Sequence, residues 1–296
     1  MTPSRTIKAA FGIAVLIVFP SICLASANVC EQPGDTSQLS LAYYHYDEAL
    51  VGEGVGRTRP QLHEFDAQFQ VNDAWAAGMG YRYVALGLDA NTLQTNGHLH
   101  TAFFPIHRRS ADGDNSFRLS VAPAMSASSN IIKNPDRWTS DAFQLLGAVV
   151  WRTGLSEQAV LRYGVCADSR LGRYKLYPTL GVDWQPSPDL RVELVIPKTR
   201  LSYKFSDTVS SSLQAAPAGN EWHVSSADFA NRSDVEFEAI LLEWTISWRI
   251  RDRLSLTARI GRLLDGEYEA TLVDGRRVRA SVEDANRLGA SIVWRW

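Results

Sequence analysis

His223-Val-Ser225 puts an imidazole and a hydroxyl two residues apart, on one side of any extended segment, and Glu236 or Glu238 follows beyond the next break. A histidine that takes the proton of a serine hydroxyl, steadied by a carboxylate, is the minimum apparatus for acyl transfer. His98 and His100 share a face in the same way and would offer two imidazoles to a metal ion. A tetrahedral site needs three or four donors, and the neighbouring residues do not bring them. His45 with Asp47 and His63 with Asp66 are weaker versions of the same idea. There is no glycine loop shaped for phosphate, no cysteine cluster of metal spacing and no nucleophile elbow. No cofactor and no metal are implied, and His223, Ser225 and Glu236 remain weak catalytic candidates, since a polar strand end entering a loop explains them as simply.

Stepping from residues to elements, the chain reads with period two almost throughout, from about Ser37 to the end, and contains no convincing helix. Trp75, Ala77, Met79, Tyr81 and Tyr83 alternate with Ala76, Gly78, Gly80 and Arg82. Leu176, Pro178, Leu180, Val182 and Trp184 alternate with Lys175, Tyr177, Thr179, Gly181 and Asp183. One series is bulky and apolar, the other small or charged. A soluble sandwich would also alternate, but its buried face packs on a second sheet. A barrel that encloses water and touches hydrocarbon puts the apolar series outside.

Breaks between strands come in two kinds. Phe69 to Trp75, Trp151 to Leu155, Trp184 to Leu190, Phe205 to Val209 and Trp248 to Leu254 are short, flanked by aromatics and furnished with turn residues. Gly87 to Gly97, Ser128 to Asp141, Ser225 to Asp234 and Leu264 to Asp284 are longer, the last carrying Asp274-Gly275, a hairpin signal. Short periplasmic turns alternating with long outer loops give a closed antiparallel transmembrane barrel of about fourteen strands. Twelve is the alternative, because Pro197 to Phe205 and the turn from Ser110 to Asn115 are ambiguous.

The two ends agree with export. Arg5 and Lys8 precede an apolar run from Ala9 to Phe19, and Ala25-Ser26-Ala27 offers a cleavage site, so residues 1–27 read as a signal peptide and 28–296 as one barrel domain. No stretch is apolar for the ~20 residues of a helical span. At the other end Leu288, Ala290, Ile292, Trp294 and Trp296 share one face. That pattern resembles the terminal signal by which bacterial outer-membrane barrels are recognised by their assembly machinery. Once the leader is gone, Cys30 and Cys166 remain in a compartment that permits disulfides. A bridge between them needs the amino-terminal arm to fold into the lumen; two unpaired thiols are the alternative.

Tyr177-Pro-Thr-Leu-Gly-Val-Asp-Trp184, Leu194-Val-Ile-Pro197 and Leu201-Ser-Tyr-Lys-Phe205 resemble an uncharacterised family of proteobacterial outer-membrane β-barrels. The resemblance implies fold and Gram-negative outer-membrane location, and transfers no functional residue. The spacing of His223, Ser225 and Glu236 is similar to that of outer-membrane lipid A deacylases, which the rest of the chain does not resemble.

The face assignment sends Arg82, Arg118, Arg152, Arg162, Lys175, Arg191, Lys204, Arg249, Arg259 and Arg295 inward with Glu64, Asp66, Asp183, Glu193 and Glu243. Basic groups lead acidic ones about two to one on this assignment, which in a low-dielectric passage favours small anions. Alternatively, arginine–carboxylate ladders satisfy one another and fill the barrel. Net charge is −2 with neither sign in a block, so nothing points to nucleic acid. The expected protein is a monomeric porin-like barrel, surrounded by lipid and passing small solutes, without enzymatic activity. A lipid hydrolase and an adhesive barrel acting through its outer loops, with Trp138 as contact, are the alternatives.

Overall fold

The computed structural model describes residues 29–30, 36–52, 56–87, 89–90, 98–225, 232–271 and 277–296. The expected signal peptide lies outside the described residues, as does the Asp274-Gly275 turn.

Fourteen antiparallel strands close on themselves, as the first of the two expected counts has it. They are β1 (Gln38–Tyr46), β2 (Gln61–Gln70), β3 (Trp75–Ala85), β4 in two pieces (His98–Phe103 and Ile106–Asp112), β5 (Asn115–Ser128), β6 (Phe143–Ser156), β7 (Ala159–Asp168), β8 (Lys175–Trp184), β9 (Leu190–Ile196), β10 (Thr199–Lys204), β11 (Val209–Pro217), β12 (Arg232–Arg251), β13 (Leu254–Thr271) and β14 (Ala285–Arg295). Each pairs with the next, and β14 returns to β1 in register from Gln38 opposite Arg295 to Tyr46 opposite Arg287. Closure removes the sheet edge that an apolar surrounding would leave unsatisfied. Both doubtful places are strands and turns: β10 pairs on both sides, and Gly113-Asp114 joins β4 to β5.

Outward-facing residues form an apolar belt. Tyr81, Leu180, Leu194, Leu242, Trp244, Leu288 and Trp294 are all exposed, and Leu176 reaches 74%. Apolar patches of that extent are rare on proteins that stay monomeric in water. The inward series is small or charged, with Ser40, Ser120, Asp183, Glu243 and Ser291 buried. Leu288, Ala290, Ile292, Trp294 and Trp296 alternate with the buried Arg287, Ser291 and Val293 and lie on the outer side of β14.

Three expected breaks are corrected. The tight turn near Trp151 to Leu155 lies further on, at Glu157-Gln158, because β6 continues through a bulge between Gly154 and Ser156. Leu264 to Asp284 is not one loop: β13 runs on to Thr271 and pairs with a returning strand, Arg277–Val282. The break at Ser225 to Asp234 is the end of a long hairpin, in which Asn220–Ser225 keeps the register of β11 against β12.

That hairpin folds across the outer mouth. It leaves the wall at Ala218, whose N–H donates to Ala239 O at 2.9 Å. At its far side it meets β5, through a bridge between His223 and Ala127. β5 and β12 stand half-way round the barrel from each other, so the hairpin is a crossbar over the bore. Gly219 makes the bend: a Cβ there would sit 2.5 Å from Phe237 O and 2.7 Å from Arg170 O, so only glycine admits the neighbouring 169–174 loop.

Candidate functional site: the lumen beneath the crossbar

The crossbar is held by polar contacts next to its bend. Asn220 Nδ2 donates to Thr101 Oγ1 at 2.7 Å and Ser169 Oγ donates to Asn220 Oδ1 at 2.6 Å. Arg173 reaches Glu236 at 3.0 Å and Glu269 at 3.1 Å, and the Tyr174 N–H donates to Glu221 at 2.8 Å. Burial lifts the Glu221 carboxyl above its ordinary range, and the Tyr174 N–H works against that rise. Further out, Trp222 and Val224 pack with Leu86 and Leu99, so the crossbar has a small apolar core of its own.

Beneath it lies a cavity of about 510 Å³. Its upper part is apolar, lined by Leu62, Leu86, Trp222, Phe237, Leu241 and Tyr268, and its lower part is charged, lined by Glu64, Arg82, Arg200, Glu243, Arg259 and Arg287. The Trp222 indole N–H is buried there without a partner among the described residues. Arg82 pairs with Glu64 at 3.2 Å. Glu243, 3% exposed, accepts from Gln214 at 3.0 Å and stands 3.8 Å from Arg259 and 3.6 Å from Arg287. The Arg287 guanidinium lies 3.6 Å above the Tyr44 ring centre, which spreads its charge over an aromatic face.

A second cavity, about 560 Å³, is centred on Asp183. One carboxylate oxygen receives Arg162 at 3.1 Å and Arg152 at 3.2 Å, with Arg191 at 3.8 Å and bonded mainly to Glu193 at 2.9 Å. Three guanidinium groups around two carboxylates leave a net positive wall. Arg200 borders both cavities.

Solved structures that the chain is similar to align with it at TM-scores below 0.5. An outer membrane channel from Pseudomonas putida F1 aligns with a TM-score of 0.47 and 9% identity, over 92% of this chain and 100% of that one. The toluene transporter TodX of Pseudomonas putida gives 0.39 and 10%, over 89% and 90%. The KdgM porin gives 0.39 and 7%, over 87% and 99%. No family model and no curated protein matches the chain.

Of the residues expected inside, Arg82, Arg152, Arg162, Asp183, Arg191, Glu193, Glu243 and Arg259 line these spaces, and Arg118 lines a third cavity of about 600 Å³ that it shares with Arg152 and Arg162. Arg295, lower down, also lines the first cavity and donates to Ser255 Oγ at 3.1 Å. Three others sit at rims. Lys175 is at the outer end of β8, donating to Leu171 O at 2.6 Å; Lys204 pairs with Asp207 in a turn; Arg249 is exposed where β12 passes the turn at Thr208. Arg200 and Arg287 were not among the expected residues. Both were available from parity: Arg200 shares a face with Lys204, and Arg287 continues the series of Gly289 and Ser291 one step beyond the presumed loop.

The acyl-transfer candidates separate. His223 Nδ1 meets Asp234 at 2.7 Å, its Nε2 meets Thr139 Oγ1 at 3.3 Å, and Glu236 is bound to Arg173 instead. Glu236 stands across from Glu221, two places along from the pair His223 and Asp234. The Ser225 hydroxyl is buried and has no partner among the described residues. His98 and His100 face outward, bonded to the Tyr83 and Tyr81 hydroxyls at 2.5 and 2.6 Å, with the second nitrogen of His100 on Ser129. Among the described residues no group of three or more histidine, cysteine or carboxylate side chains is placed to hold a metal. Trp138 is 45% exposed, its indole N–H donating to Ile131 O at 3.1 Å.

Proposed function

We propose that this protein is a narrow outer-membrane channel for small solutes, with a mild preference for anions. The observation that carries the reading is the arginine-rich lumen: cavities that open beneath the crossbar are walled by Arg152, Arg162, Arg191, Arg200, Arg259 and Arg287, with fewer carboxylates facing them. Fixed positive charge along a low-dielectric passage raises the local concentration of anions. The ion pairs reduce that field without cancelling it, which is why the preference is mild. The outer belt is suited to lipid on all sides, in keeping with a monomer in the outer membrane of a Gram-negative cell.

The crossbar sets the scale. A bore crossed by a packed hairpin passes solutes around it, so conductance is small compared with that of an open fourteen-strand barrel. The test is a planar bilayer containing purified protein under a potassium chloride gradient. The expected record shows small unitary steps with a reversal potential on the chloride side of zero. Absence of conductance overturns the channel, and a reversal potential on the potassium side overturns the charge preference.

A further inference from the structure

The two cysteines outside the expected leader stand together inside the barrel. Cys30 packs against a cluster made by Ala148 and Val150 of β6, Cys166 of β7 and Tyr177 of β8, which sets the two cysteines side by side. The Tyr177 hydroxyl lies 3.7 Å from Cys30 Sγ, and Arg118 donates to Cys30 O at 3.2 Å. Val29, beside it, is 2% exposed. Both cysteines are thiols in the structure.

Seven residues later the chain is on the other wall. Ser37 O accepts from the Trp296 N–H at 3.1 Å, and Ser37 Oγ accepts from the Gln70 N–H at 2.9 Å. Ser37 therefore stands where β1, β2 and β14 end, half-way round from β7 and β8. Seven residues reach at most roughly 25 Å. The arm thus has one end fastened at the rim and the other seated in the opposite wall beside Cys166. Holding Val29 and Cys30 in that wall costs conformational entropy, and the contacts just named are few.

We propose that Cys30 and Cys166 form a disulfide that pins the amino-terminal arm inside the lumen. A Cys30 thiolate attacks one sulfur of a protein disulfide of the thiol–disulfide oxidant class, breaking that bond and releasing one thiolate of the oxidant. The Cys166 thiolate then attacks Cys30 Sγ in the mixed disulfide, and the second oxidant sulfur leaves. One disulfide forms and one breaks; two electrons pass to the oxidant, and the two protons lost by the cysteines end on its thiols. Cys166 is 1% exposed once the barrel is closed, so the exchange precedes closure, and the finished bond is shielded from reductants.

The test uses full-length protein taken from membranes, alkylated under denaturing conditions before any reductant is added, then digested. The expected result is a linked pair of peptides carrying Cys30 and Cys166 that separates on reduction; alkyl groups on both cysteines overturn the proposal. Conductance supplies an independent arm. Cys30→Ser, Cys166→Ser and the double variant are expected to give the same rise in open-channel noise, because one bond is lost in all three. Unequal effects, with the double variant equal to the sum of the singles, overturn it. A linked pair in a barrel that does not conduct leaves the disulfide standing and removes the channel, so the two readings fail separately.

Discussion

The lower and upper halves of this barrel are built from similar strands yet obey different rules. In the lower half each side chain has one of two fates, outward like Ile246 and Trp248 or inward like Thr245 and Ser247. In the upper half of the β11–β12 hairpin both faces are covered: Trp222 and Val224 pack on Leu86 and Leu99, while His223 meets Asp234 and Thr139. The difference teaches that alternation specifies a wall only where each face has a single kind of neighbour. Above the bend at Gly219 the ladder continues in register, but its two sides face protein.

The largest effect expected from breaking this contrast comes from removing the crossbar. Replacing residues 219–238 with an Asn-Gly turn between Ala218 and Ala239, which are already paired, keeps the fourteen-strand wall. Unitary conductance is expected to rise several-fold, with the folded barrel still migrating as a compact band before heating. Unchanged conductance would mean that the hairpin does not limit the path.

The lower half is tested by placing one charge on each face. Ile246→Arg puts a guanidinium on the outer belt, where a midplane arginine costs ~2–4 kcal/mol. Thr245→Arg, one residue away, points it into the lumen. Folding titrations in lipid vesicles are expected to show the loss for the first and little for the second. Equal losses would break the assignment of faces.

What the sequence discloses follows the same division. The strands around Trp75 and Leu176 were readable with their faces, because a lipid-like side and a watery side demand opposite chemistry at alternate residues. Arg287 and Arg200 were missed only through uncertain strand ends, and parity alone would have placed them. The crossbar was not readable: Asn220 to Ser225 alternates like any strand, and nothing local says whether it rises outward or bends inward. Its direction depends on Gly219 fitting against Arg170 and on Leu99 and Thr101 receiving it, contacts far apart in sequence. Glu236 was misassigned for a related reason, since register places Asp234 opposite His223.

A smaller effect separates paired from unpaired charge within the lumen. Glu243→Gln leaves Arg259 and Arg287 without their carboxylate, at a cost of ~1–3 kcal/mol for a buried group losing its partner. The reversal potential is expected to move further toward chloride. A shift toward potassium would show that these arginines do not face the conducting path.

The smallest effect is expected at Ser225. Its hydroxyl is buried, and removing an unsatisfied buried polar atom is close to neutral for stability. Acyl transfer needs the serine to give its proton to the histidine, yet His223 has Asp234 on one nitrogen and Thr139 on the other. Ser225 instead donates its backbone N–H to Ser128 at 3.4 Å, and its carbonyl accepts from Asn130 at 3.3 Å, contacts that belong to the seat of the crossbar on β5. Ser225→Ala is therefore expected to match the parent in folding titrations and in conductance. If the parent hydrolysed an acyl ester and this variant did not, the crossbar would be part of a reaction centre, and the upper half would differ from the lower in chemistry as well as in packing.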